Sequence, residues 1–127
     1  MKTHVKEIER LVEHLSEDWI DGKLEAMEPY FHQRAVMVEP GTGNRITGAD
    51  AVIERYRDFI EEADISSFKI TEMFVDFFET TAVAFFTYRI KYQVESTNYD
   101  ETNAEILVFR QHEEEWQIVW RTQLLGQ

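Results

Sequence analysis

Few residues of this chain have both the type and the setting for chemistry. Glu39 ends the apolar run Ala35-Val36-Met37-Val38 and stands directly before Pro40. A carboxylate that points from such a strand end into an apolar cavity is held above its ordinary pKa by desolvation. It then works as an acid or base near neutral pH. The plainer alternative is a hydrated strand-end charge, or one paired with Arg45. Trp19, Tyr30, Tyr56, Tyr88 and Trp120 each join a large apolar body to a polar tip. That combination suits the binding of a small organic ring, and it equally suits filling a core.

Other chemistries find little support. The histidines are His4, His14, His32 and His112, and no two stand at His-x-x-x-His or His-x-His spacing. His14 and Asp18 form an i, i+4 pair beside Glu17, the pattern of a solvated helix face rather than a cation site. The serines lack a Gly-x-Ser-x-Gly elbow, and Gly41-x-Gly43 is not followed by the Lys-Ser/Thr of a phosphate loop. With no cysteine, the chain has no thiol nucleophile, disulfide or Cys-type zinc site. No metal and no cofactor are expected.

The elements that must position these residues are legible in the apolar spacing. Val5, Ile8, Val12, Leu15 and Trp19 form one helical stripe, ended by Asp21-Gly22. A short second helix is expected over residues 24–31, with Leu24, Met27 and Phe31 on its apolar side. Residues 35–39 read as a strand stopped by Pro40-Gly41, with a brief extended piece at 45–47. A third helix opens at Thr47/Gly48, with Val52, Ile53, Tyr56, Phe59 and Ile60 as its stripe. From Phe68 the period changes to 2, and β segments are expected near 68–79, 82–95, 103–112 and 115–125. Short joints make them antiparallel neighbours, with residues 96–102 as the longest joint.

Strand parity assigns faces. Ala84, Phe86, Tyr88, Ile90 and Tyr92 share the face toward the helices. On the last strand, Trp116, Ile118, Trp120, Thr122 and Leu124 share a face. That parity places Arg121 on the outer face with Arg89, Lys91 and Arg110. Ile106/Val108 and Leu107/Phe109 are both apolar, so both sheet faces should be covered. An outer patch beside Phe85 and Val119 points to a second copy of the chain, a homodimer through the outer sheet face.

The 127 residues amount to one domain, and 43% hydrophobic residues are enough for a core. A formal net charge of −12 argues against nucleic-acid and anionic-membrane partners. No apolar stretch is long enough to span a membrane. The N-terminal stretch has no apolar core of a signal peptide, and a cytoplasmic location is expected.

Three segments carry a resemblance. They are Asp-Gly-Lys-Leu-Glu-Ala-Met-Glu-Pro-Tyr-Phe-His, Ala-Val-Met-Val-Glu-Pro and Ile-Thr-Gly-Ala-Asp-Ala-Val-Ile-Glu-Arg-Tyr. Together they resemble the NTF2-like superfamily, most of all its SnoaL-like and ketosteroid-isomerase-like branch. The resemblance covers nearly the whole chain. It implies an α+β, cystatin-like cone, with three helices packed on a curved, mostly antiparallel sheet around a pocket. It also implies a dimer through the outer sheet face and a small hydrophobic molecule as ligand. Glu39 matches the general-base carboxylate of the ketosteroid isomerase pattern, with Glu for the usual Asp. The pattern's oxyanion-binding Tyr falls at Leu15, and its protonated acid at Leu107, before Phe109-Arg110. Both donors are therefore missing, and a lone base does not hold an enolate. Tyr56 is a candidate substitute donor. The expected ligand site is Trp19, Tyr30, Tyr56, Tyr88, Leu107 and Trp120, with Glu39 as general acid/base for isomerase- or lyase-type chemistry. The alternative is a non-catalytic ligand-binding or homo-oligomerisation module on the same fold.

Overall fold

A computed structural model describes residues 2–126. Helix α1 spans Lys2–Ile20 and buries Ile8, Val12, Leu15 and Trp19, the stripe expected from spacing. Asp21 and Gly22 turn the chain into α2, Leu24–Met27, which buries both of its end residues. The second helix is shorter than its apolar spacing suggests. Pro29 lacks an amide N–H, so the chain tightens into a 3-10 turn over Glu28–Tyr30 and leaves as a strand at Phe31.

Strand β1, Phe31–Val38, pairs antiparallel with β2, Arg45–Thr47. Helix α3, Ala49–Glu62, follows and buries Val52, Ile53 and Tyr56. Its N-cap Gly48 has φ 100° and ψ 140°, a region open in practice only to glycine. The remaining strands are β3 (Asp64–Phe78), β4 (Thr81–Val94), β5 (Thr97–His112) and β6 (Glu115–Leu124). They complete one sheet in the order β2-β1-β6-β5-β4-β3, in which only the β1–β6 pairing is parallel.

The core lies between the helices and one face of this sheet. It joins the α1 and α3 stripes to Ala84, Phe86, Tyr88 and Ile90 of β4, Leu107 and Phe109 of β5, and Trp116 and Ile118 of β6. Register shifts at Ser66 and Thr71 interrupt the β3–β4 ladder, and bulges of this kind bend and twist a sheet.

Two sequence expectations change here. Of the expected joint 96–102, all but Ser96 belongs to β5. β4 and β5 pair without interruption from Thr81↔Arg110 to Val94↔Thr97, closed by a two-residue turn. Arg89 and Asp100 pair across this ladder at 2.9 and 2.7 Å, and Tyr92 stacks on Tyr99 at 5.0 Å. These polar residues looked like loop because both faces of the hairpin arm meet solvent, so no apolar alternation marks the strand.

The second change is the parity of β6. The β5–β6 register slips between Val108↔Trp120 and Phe109↔Ile118, leaving Val119 as the extra residue. Trp116 and Ile118 therefore face the core, while beyond the bulge the buried residue is Arg121. Arg121 does not belong to the outer row of Arg89, Lys91 and Arg110.

Candidate functional site

A cavity of about 600 Å³ opens at the end of the sheet where α1 and α3 stand apart from the β4–β5 arm. Its apolar walls come from Trp19, Phe59, Tyr88, Ile90 and Tyr92. Trp19 is fixed by its indole N–H, which donates to the Tyr56 carbonyl oxygen at 2.9 Å. Its ring meets Tyr56, Phe59 and Phe68 at centroid distances of 5.6, 5.7 and 5.7 Å. Phe68 stacks on Tyr88 at 5.0 Å and Phe59 meets Tyr92 edge-on at 4.9 Å. Interlocked rings of this kind keep their geometry, because each ring's rotation is blocked by the next.

The buried end is polar. Arg121 Nε donates to Glu105 Oε2 at 2.9 Å, and Nη2 donates to Oε1 at 3.4 Å. The two side chains are 5% and 7% exposed. Tyr56 donates its hydroxyl to Glu105 Oε2 at 3.3 Å, and Gln123 Nε2 donates to Oε1 at 3.4 Å. The guanidinium carbon lies 3.9 Å from the centre of the Tyr56 ring, a cation–π contact that fixes the plane of the fork. Burial alone would favour neutral Arg121, but Glu105 more than offsets it, so the guanidinium stays protonated. Burial first, and Glu105 in addition, push the Tyr88 hydroxyl well above its ordinary pKa. Tyr56 is raised too, chiefly by burial, with Arg121 pulling the other way. Both tyrosines are neutral donors at any ordinary pH.

The open end is charged. Glu39 Oε2 meets Arg55 Nε at 3.1 Å, with the side chains 28% and 42% exposed. The partner is Arg55 of α3, not Arg45. Backbone bonds from the Glu39 N–H to the Asn44 oxygen (2.9 Å) and from the Gly43 N–H to the Glu39 oxygen (3.0 Å) close the loop after β1 and hold Glu39 at the rim. Asp100 and Glu101 of β5 stand on the same rim.

Of the residues singled out from the sequence, the fold brings Trp19, Glu39, Tyr56 and Tyr88 to this cavity. Tyr30 lies outside it and donates its hydroxyl to Asp18 Oδ2 at 2.9 Å, tying β1's entry to α1. Leu107 is wholly buried in the core and does not line the cavity. Trp120 lies outside both core and cavity because the bulge at Val119 turns it to the other face. Sequence reasoning missed Glu105, Arg121, Gln123 and Asn103. One signal was present: Glu105 directly precedes the apolar run Ile106-Leu107-Val108-Phe109 and Arg121 directly follows Ile118-Val119-Trp120, and opposite charges in two adjacent strands can satisfy each other. Among the described residues, no group of three or more His, Asp or Glu side chains is placed to hold a metal ion. No helix is long and apolar enough to cross a membrane among them.

The model of the SnoaL-like domain matches residues 8–122. No curated protein matches the sequence. Among solved structures, a candidate dehydratase of the NTF2-like family from Streptomyces avermitilis superposes with a TM-score of 0.81 at 17% identity. That match covers 96% of this chain and 95% of the other. A ketosteroid isomerase-like protein from Erwinia carotovora atroseptica gives 0.74 at 16% identity over 91% of each chain. A candidate Ca/calmodulin-dependent kinase II association domain from Exiguobacterium sibiricum gives 0.78 at 18% identity, over 98% of this chain and 94% of that one. Likenesses at such identities show the fold, an NTF2-like cone, and nothing finer.

Proposed function

The chain belongs to the SnoaL-like domain family, and we propose that its cavity binds a small, largely apolar organic molecule. The observation that carries this reading is the cavity itself. It measures about 600 Å³ and has apolar and aromatic walls above one buried ion pair. Small-molecule sites have volumes of roughly 300–1,000 Å³ and this mixture of apolar lining with a few fixed polar groups. The absence of cysteine fits a reducing compartment, and a cytoplasmic location is part of the same reading.

Within this proposal Glu39 is the general acid/base for isomerase- or lyase-type chemistry. Its support is its place on the cavity rim and its match to the base position of the ketosteroid isomerase pattern. The neighbours named as a candidate dehydratase and as ketosteroid isomerase-like add the reaction types. The test is ligand-dependent melting of wild type and Glu39→Gln against a panel of hydrophobic metabolites, followed by product analysis of each hit. A ligand at 100 times its dissociation constant adds about 2.7 kcal/mol of stability. The Glu39–Arg55 pair is part-exposed and worth only about 0–1 kcal/mol, so Glu39→Gln stays folded. A hit converted by wild type and not by Glu39→Gln supports the acid/base role. A hit that wild type leaves unchanged supports a binding module. Absence of any hit counts against the cavity as a ligand site.

A second reading, a module that pairs with another copy of itself, draws on the outer sheet face. There Phe74, Phe85 and Ile106 form one row across three strands, and Val83, Val108 and Trp120 form the next. Phe74 is 55% exposed. The two readings are compatible, since the patch and the cavity lie on opposite faces of the sheet.

A further inference from the structure

The buried end of the cavity holds an unequal set of hydrogen-bonding groups. A carboxylate offers about four acceptor positions on its two oxygens. Arg121 Nε and Tyr56 fill those of Glu105 Oε2, and Arg121 Nη2 and Gln123 fill those of Oε1. Glu105 therefore has no acceptor position left for a ligand.

Donors are in surplus. A guanidinium carries five N–H groups in a planar fork. Two of those on Arg121 go to Glu105, and one from Nη1 points at the Met37 sulfur at 3.1 Å, a weak acceptor. The others meet no acceptor among the described residues. The Tyr88 oxygen accepts from Gln123 Nε2 at 3.2 Å and is within reach of Asn103. With these amides donating to its oxygen, its own proton is left to turn toward the cavity. Arg121 and Tyr88 both line the cavity, and both are only 4% exposed. Donor hydrogens that face the cavity gain a partner when a ligand brings an acceptor.

Charge narrows the class of ligand. Arg121 is paired with Glu105, Glu39 with Arg55 and Asp100 with Arg89, which leaves Glu101 as the uncompensated charge of the lining. An anion would gain the Arg121 contact, but that charge is already matched by Glu105, so no net positive charge offsets the anion's desolvation.

We propose that Arg121 and Tyr88 are the specificity-determining donors of this cavity, and that they select an uncharged ligand by its acceptor oxygen. The proposal rests on the reading that the cavity binds a small organic molecule. Neither donor occupies the positions of Leu15 and Leu107, so the oxygen is held from β4 and β6 rather than from α1 and β5. Glu105 positions Arg121 by occupying one edge of its fork.

The test compares three probes of similar ring size by titration calorimetry on the full chain: 1-tetralone, tetralin and 1-naphthoate. Wild type binds 1-tetralone about tenfold more tightly than tetralin and more tightly than 1-naphthoate. Tyr88→Phe keeps the ring, and the ketone-over-hydrocarbon ratio drops about threefold. Arg121→Met with Glu105→Leu removes both charges together, since Arg121→Met alone would leave a buried carboxylate unpaired. In that double variant, which keeps Tyr88, the ratio falls to about threefold, and adding Tyr88→Phe brings it to about one, while tetralin affinity stays within about twofold of wild type. Equal binding of 1-tetralone and tetralin to wild type overturns the donor proposal and leaves ligand binding intact. Tightest binding of 1-naphthoate overturns the selection of an uncharged ligand. No binding of any probe at its solubility limit overturns both the proposal and the reading beneath it.

Discussion

Tyrosine hydroxyls link the stability of this protein to alkaline pH. Tyr30 is pushed up to about 12, first by burial and then by its hydrogen bond to Asp18. Tyr92 is pushed up to about 12 by burial and by Glu101. Tyr56 and Tyr88 are raised as well, each chiefly by burial. In every case the folded state keeps a proton that the unfolded chain loses near pH 10. Stability from these groups is fully present below that pH and is lost progressively as pH rises above it, through about 12 for Tyr30 and Tyr92. Melting temperature should accordingly fall steeply between about pH 10 and 12, and Tyr30→Phe should make that fall shallower. Thermal melts from pH 8 to 12 check this, and a wild-type melting temperature flat across the range would show that the tyrosines are not linked to folding. At this same scale the sequence was partly readable. Trp19, Tyr56 and Tyr88 were identifiable by type and spacing, because each lies on a helix or strand of regular period, and Glu39 by its place between an apolar strand and Pro40. Arg121 was not, because its burial depends on a partner, Glu105, on another strand.

Elements were legible wherever one face is apolar and the other wet. The α1 and α3 stripes and the alternation of β4 follow directly from their spacing, since burial of one face imposes the period. The β5–β6 turn is a different case. Glu113 and Glu114 have φ of 50° and 69°, a left-handed pair of the kind that two-residue hairpins favour with Asn-Gly. Neither residue suits that region, and three adjacent acids, Glu113 to Glu115, repel one another. Glu114→Gly should therefore raise stability by about 1 kcal/mol, read as a higher denaturation midpoint with an unchanged slope. A lower midpoint would mean that the turn's strain is not what limits this hairpin.

At the scale of the molecule, the net charge of −12 opposes self-association and the outer apolar rows favour it. If a second copy covers Phe74, Phe85 and Ile106, sedimentation should show a dimer that strengthens with added salt as the repulsion is screened. Phe74→Lys, at a side chain already half exposed, should shift the species to monomer without lowering the melting temperature of the monomer. A monomer at all salt concentrations in wild type would remove the self-pairing reading and leave the cavity untouched.

What the sequence determined by itself was everything that depends on local period. It determined three helices before a long-stranded antiparallel meander, hence an α+β domain, and an acid directly after β1. The tertiary structure decided which charges went inside. One extra residue, Val119, inverts the faces of β6 beyond it, sending Trp120 out and Arg121 in. A strand's side chains alternate with a period of two, so a one-residue slip reverses every assignment after it. That slip is set by the registers that β1 and β5 impose on β6 from either side, and these are long-range pairings that no window of the sequence contains.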